Sequence, residues 1–168
     1  MKKENISEFF RRLSEVEERP ETELNFSNPF TLVVAVALSA QATDKGVNKA
    51  TKELFKIADT PEKMVALGEE RIRDLVKTIG LYKTKAKNVF LLSKMLIDEF
   101  DHQVPQDREQ LMRLPGVGRK TANVVMNVAF GLPTFAVDTH VFRLSNRTGL
   151  APGKTVLDVE KKLEKRVP

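Results

Sequence analysis

Leu114-Pro115-Gly116-Val117-Gly118-Arg119-Lys120-Thr121-Ala122 lies between two stretches whose apolar residues recur at helical spacing. Two glycines one residue apart offer backbone that can take positive φ and carries no side chain, so their N–H groups can approach another group closely. At the start of a helix such amides bind anions, phosphate above all. A tight helix-to-helix turn is the plainer use of the same pair. A nucleotide-binding P-loop is excluded: it needs Gly directly before Lys-Ser/Thr and another Gly five residues earlier, and Arg119 and Leu114 hold those places. The stretch reads as helix, glycine-containing turn, helix, with Lys120 in the first turn of the second helix.

Working outward, helical periodicity continues almost everywhere. A helix over about Lys120 to Phe130 is ended by Gly131, and a shorter one over about Asp107 to Arg113 precedes the turn. Lys83 to Phe100 reads as a long amphipathic helix, with Gly68 and Gly80 as helix terminators before it. Asn28-Pro29 reads as an N-cap and first helical residue opening Phe30 to Ser39, apolar nearly all round and so predicted to be the buried centre. Thr60-Pro61 repeats the cap-and-proline signal. Ile6, Phe9, Phe10, Leu13 and Val16 make one stripe closed by Pro20. Thr139 to Asn146 and Val156 to Arg166 complete the set, the latter opened by Thr155 with Asp158 at capping-box spacing. No segment alternates like a strand with hairpin chemistry. The prediction is an all-α protein of nine or ten short helices.

The 168 residues have ordinary globular composition, 41% hydrophobic, and no cysteine, which removes disulfides, thiolate–zinc sites and iron–sulfur ligation from these residues. The longest near-apolar run, Phe30 to Leu38, is too short to span a bilayer, and no signal-peptide pattern follows Met1, so no membrane role and a cytoplasmic location are expected. Charge is lopsided: residues 111–168 hold ten basic and four acidic residues, and a second basic stretch runs from Arg71 to Lys94. Such clustering suits a polyanionic partner, although charge runs more often form a solvated face. His102 and His140 have no ligand spacing, so no metal site is expected, and Ser145 lacks the context for a Ser-His-Asp site with Asp138 and His140.

Beyond composition, the string Leu-Pro-Gly-Val-Gly-Arg-Lys-Thr-Ala-Asn followed by Phe135-Ala136-Val137-Asp138-Thr139-His140-Val141 resembles the helix-hairpin-helix and Gly/Pro-Asp loop of the endonuclease III branch of DNA glycosylases. Leu38-Ser39-Ala40-Gln41-Ala42-Thr43-Asp44, Thr78-Ile79-Gly80-Leu81-Tyr82 and Asn146-Arg147-Thr148 match further family segments in family order, so the resemblance covers nearly the whole chain. It implies a two-lobed helical fold with a cleft: 21–133 as the lobe carrying the hairpin, and 1–20 plus 134–168 as a second lobe. It also implies an enzyme of base-excision repair that bends duplex DNA, extrudes a damaged base and attacks the sugar.

Carried over residue by residue, the resemblance makes Gly116, Val117 and Gly118 the phosphate-gripping hairpin, with Arg119, Thr121 and Arg143 among the DNA-binding residues. Gln41, Leu81 and His140 match positions that fill the gap left by the flipped base. Without the family, Leu81 would pass for an ordinary residue after a helix-ending Gly80. Lys120 matches the catalytic lysine. Helix dipole, neighbouring Arg119 and dehydration by bound DNA favour its neutral amine, while phosphates oppose this. Such an amine attacks C1′, displaces the base and forms a Schiff base, and β-elimination then cuts the strand. Asp138 matches the essential aspartate and also suits an N-cap. Asp44 fits a position that supports a helix start.

The family usually continues into a four-cysteine loop holding a 4Fe-4S cluster, which this sequence lacks, so no cofactor is expected in this chain and the second lobe reads as incomplete. Phe9, Leu13, Leu157 and Leu163 are then expected to lose part of their burial. The leading expectation is a monomeric bacterial DNA glycosylase with abasic-site lyase activity, nucleoid-associated, acting on damaged, oxidised pyrimidines in double-stranded DNA. The alternatives are a catalytically impaired DNA-binding fragment and a glycosylase without lyase chemistry.

Overall fold

The structure is a computed structural model that describes residues 1–168. It contains ten helices and no strand: α1 (Lys3–Val16), α2 (Pro29–Leu38), α3 (Asp44–Ile57), α4 (Pro61–Leu67), α5 (Glu69–Val76), α6 (Tyr82–Glu99), α7 (Arg108–Arg113), α8 (Arg119–Phe130), α9 (Thr139–Thr148) and α10 (Val156–Arg166). The chain divides into two compact units, one of Thr22–Leu132 and one of Met1–Glu21 with Pro133–Pro168.

The larger unit is built around α2. Asn28 accepts a hydrogen bond from the Thr31 amide while the Thr31 hydroxyl accepts from the Asn28 amide, a full capping box, and Pro29 supplies a preset φ. Three valines on a ten-residue helix oppose intrinsic propensity. Burial overrides it: Phe30 to Leu38 are all buried, and each large side chain removed from water contributes about 1.5–3 kcal/mol. Around α2 pack Val47 and Leu54 of α3, Met64 of α4, Ile72 and Val76 of α5, Val89, Leu92 and Leu96 of α6, and Ala122 and Val125 of α8. Ser93, fully buried on α6, donates its hydroxyl to the Val89 carbonyl at 2.7 Å and so leaves no orphaned donor.

The smaller unit comprises α1, α9 and α10 around Ile6, Val137, Leu150, Ala151, Val159 and Leu163. Phe9 and Phe10 meet edge to face at 5.4 Å beside this core. Gly149 ties the separated segments together: its carbonyl accepts from the Met1 ammonium at 2.8 Å and from Arg166, which also donates to the Met1 carbonyl. Of the four apolar residues expected to lose burial, Leu13 and Leu157 are 46% and 38% exposed, Phe9 is half-buried against the small core, and Leu163 is only 2% exposed. The reason is helical phase: Leu163 shares the inner face of α10 with Val159, whereas Leu157 lies off that face.

Candidate functional site

The hairpin turn is set by Gly116, whose φ of +80° is open to glycine at little cost. A Cβ there would also stand 3.1 Å from Cβ of Asn88 on α6. Of the two glycines that can take positive φ, only Gly116 does: Gly118 is extended, with φ −89° and ψ −178°, and serves as the N-cap of α8. A Cβ at Gly118 would meet nothing within 4 Å. Glycine there leaves open space in front of α8, whose first-turn amides receive no side-chain cap. Val117 anchors the turn: its side chain is buried and its amide donates to the Leu114 carbonyl at 3.1 Å.

Lys120 is the second residue of α8, exposed and without an ion pair. It lines a cavity of about 300 Å³ within the larger unit, together with Gln41, Asp44, Thr121, Val36 and Ala40. Sequence reasoning had read Asp44 as a helix-start residue; its place in this wall was invisible without the packing of α2, α3 and α8.

Gln41 and Leu81, both expected at the DNA face, share an unusual backbone. Gln41 has φ +56° in the turn after α2, and Leu81 has φ +57° as the N-cap of α6. Left-handed backbone costs a residue with a Cβ roughly 1–2 kcal/mol, and such strain concentrates at functional sites. Leu81 is 63% exposed, so no core burial offsets its conformation. The sequence pointed to Gly80 as the terminator. Instead α5 ends at Val76, and Leu81 rather than Gly80 takes the left-handed turn that starts α6.

In the smaller unit, Asp138 is the N-cap of α9, accepting from the Val141 amide at 2.8 Å, and it is half-buried. His140 and Arg143 are exposed one turn along α9. The Arg143 guanidinium, which can only donate, lies 3.3 Å from Nδ1 of His140. A cation that sequence reasoning passed over sits on α6: Lys85 is buried with no hydrogen-bond partner for Nζ, and burial pushes its ammonium below the ordinary lysine range.

An iron–sulfur cluster does not fit the residues present: there is no cysteine, and no three His, Cys, Asp or Glu residues are grouped to hold a metal. No helix is long and apolar enough to cross a membrane.

Residues 34–168 match the family described as HhH-GPD superfamily base excision DNA repair protein. Endonuclease III of Escherichia coli (strain K12) is 55% identical over 168 residues, which is all of this chain and 80% of that protein. Endonuclease III of Haemophilus influenzae (strain Rd) is 53% identical over the same span, again 80% of its length. Among solved structures, a trapped Endonuclease III–DNA covalent intermediate superposes with a TM-score of 0.91 at 47% identity, covering all of this chain and 79% of that one. With hairpin, acidic loop and ten-helix architecture all in place, the chain belongs to the endonuclease III group of the HhH-GPD base-excision repair superfamily.

Proposed function

We propose that the chain excises damaged bases from duplex DNA with Lys120 as nucleophile and Asp138 as its acid–base and electrostatic partner. The reaction is that of its group, a base-excision repair DNA glycosylase that is also an abasic-site lyase. The observation that carries the residue assignment is Lys120 itself: exposed, without an ion pair, one residue into the helix that follows the hairpin, and in the wall of a cavity. The neutral amine attacks C1′ of the deoxyribose as the glycosidic bond breaks and the base departs with its electron pair. Ring opening gives a Schiff base, and loss of a 2′ proton expels the 3′ phosphate. Asp138 stabilises the cationic sugar and takes up a proton. A solved relative trapped as a covalent intermediate with DNA supports this route.

The hairpin of Gly116, Val117 and Gly118, in which the Val117 amide is given to the Leu114 carbonyl and Val117 shapes the turn, holds backbone phosphate without reading sequence, as do Arg119, Thr121 and Arg143. Gln41, Leu81 and His140 fill the gap left by the extruded base. The chain acts as a monomer on damaged or abasic duplex DNA at the bacterial nucleoid, its lesions being oxidised pyrimidines. A fragment that only binds DNA is not favoured, since the 55% identity to the Escherichia coli enzyme runs over all 168 residues.

The test is borohydride trapping on a duplex with one abasic site. The expected result is a covalent adduct with the wild-type chain and none with Lys120→Ala, which retains duplex binding through the hairpin amides. An adduct of equal yield with Lys120→Ala would overturn the assignment.

A further inference from the structure

We infer that Lys83, Lys87 and Lys94 on α6 form a second phosphate-binding surface, which takes the sugar-phosphate backbone of the duplex beside the lesion. This rests on the DNA-binding part of the reading above and carries it from the hairpin to a neighbouring helix, without depending on the chemistry at Lys120. All three lysines are exposed, and none makes an ion pair. At their spacing they fall within about 40° of one another around the helix and span about 16 Å along it. An exposed face that meets only water usually carries both signs, with pairs one turn apart. α3 is of that kind: Lys45, Lys49, Lys52 and Lys56 share a face, but Asp44 stands in its first turn and Glu53 holds Lys56 at 3.1 Å.

α6 differs. From Tyr82 to Ile97 it holds four lysines and no acidic residue, so Lys83 and Lys87 sit in its first two turns, where the helix dipole already places positive charge. No side chain caps its first amides. Dipole, lysines and open amides thus add to one field of one sign, costly in the free protein and relieved by an anion. The helix also joins the two elements that the proposed function gives to DNA. Leu81 is its N-cap, and the hairpin meets it at Asn88, whose Cβ lies 3.1 Å from where a Cβ on Gly116 would stand. Lys83 and Lys87 lie between those two points along the helix. Beyond them, Lys94 shares a cavity of about 350 Å³ with Leu91 and with Pro115 of the hairpin. Asp98 and Glu99 then close the basic face. Each strand of a duplex presents a phosphate about every 3.4 Å, so about 16 Å of helix passes about five of them. Charge complementarity and continuity with the hairpin therefore select duplex backbone as the occupant.

The test is fluorescence anisotropy, followed as salt is raised, on a duplex carrying one tetrahydrofuran abasic-site analogue, which cannot form a Schiff base. The full chain is compared with the triple variant Lys83→Gln, Lys87→Gln, Lys94→Gln and with Lys49→Gln, Lys52→Gln, Lys56→Gln, which removes the same charge from α3. Loss of three phosphate contacts makes the slope of log affinity against log salt shallower by about 2.7 in the α6 variant, while the α3 variant moves it by less than about 1. The Tm of the α6 variant is expected at or above that of the wild-type chain, because cations leave the unfavourable end of the helix dipole. Arginine at the same three positions keeps the charge and the wild-type slope. An unchanged slope in the α6 variant would overturn the inference, and so would an equal loss in both glutamine variants, which would reduce the effect to net charge. A wild-type chain that binds this duplex yet gives no borohydride adduct at a true abasic site would remove the Lys120 assignment and leave this inference standing. A wild-type chain that binds no duplex would remove both.

Discussion

The two units divide the candidate chemistry between unequal supports. Thr22–Leu132 carries Lys120, Gln41 and Leu81 on a core of 26 buried apolar residues, whereas the 57 residues of the other unit carry Asp138, His140 and Arg143 on six. The difference follows from chain connectivity. The larger unit is continuous, and α2, apolar on every side, is wrapped by its neighbours. The smaller unit joins two segments separated by the whole of the larger one, and its three helices each bury one stripe, leaving Val16 85% and Leu144 56% exposed. Ordering two distant segments costs loop-closure entropy that only direct contacts between them offset. Those contacts are few: the small core and the knot of Met1, Gly149 and Arg166.

Large-to-small changes in the two cores give the largest expected effects and break the comparison most directly. Leu38→Ala in α2 and Leu163→Ala in α10 remove side chains that are 0% and 2% exposed, and each costs about 2–5 kcal/mol. The consequences differ. Leu38→Ala lowers protection of amides throughout Thr22–Leu132 in native-state hydrogen exchange. Leu163→Ala opens α1, α9 and α10 while the slowest amides of α2 keep their wild-type rates. If Leu163→Ala instead lowers every amide equally, the two units unfold as one and their unequal cores carry no separate meaning.

A smaller effect separates fold from function inside one loop. Gly116→Ala must hold φ +80° and press its Cβ against Asn88, so it destabilises the larger unit by roughly 1–2 kcal/mol. Gly118→Ala meets extended backbone and open space, and its stability change stays within about 0.5 kcal/mol. If the space before α8 is where phosphate lies, Gly118→Ala nonetheless weakens duplex binding by about tenfold, read by fluorescence anisotropy at fixed salt. Normal binding by a well-folded Gly118→Ala would mean that the open space is not used.

These pairs also mark what the amino-acid sequence disclosed. Helix existence was legible from periodicity and from side-chain caps: Asn28, Thr60, Asp107, Asp138 and Thr155 all accept the backbone bond their position suggests. Helix edges moved by a residue or two, as with α6 starting at Tyr82 rather than Lys83. Less legible were features set by tertiary packing. Nothing local distinguishes Gly116, which needs positive φ, from Gly118, which does not, and nothing local announces left-handed backbone at Gln41 or Leu81. The cavity wall was invisible for the same reason, since Asp44 reaches it only through the packing of three helices. Lys120 and Asp138 were named from family motifs; their local settings, a first helical turn and an N-cap, are what the surrounding residues dictate.

The mildest expected effect concerns pH and sharpens the weakness of the smaller unit. On α1, hydrogen bonds from Arg11 and then Arg12 hold the Glu8 carboxyl down to about 2, below the usual value of 4.5. A carboxyl whose folded pKa is depressed stabilises the fold fully above its unfolded pKa and loses that contribution as pH falls through the folded value. The window is therefore between about 4.5 and 2, with no effect near neutrality. All three side chains face solvent, so salt screens the cluster and the contribution is small. Amide exchange in α1, followed against pH at low salt, is expected to accelerate on acidification more in the wild-type chain than in Glu8→Gln, once each is corrected for intrinsic rates. The difference between the two should fade at high salt, whereas the α2 amides should show none. A matching pH response in α2 would mean that α1 reports the stability of the larger unit, and the two cores would then have to be treated as one.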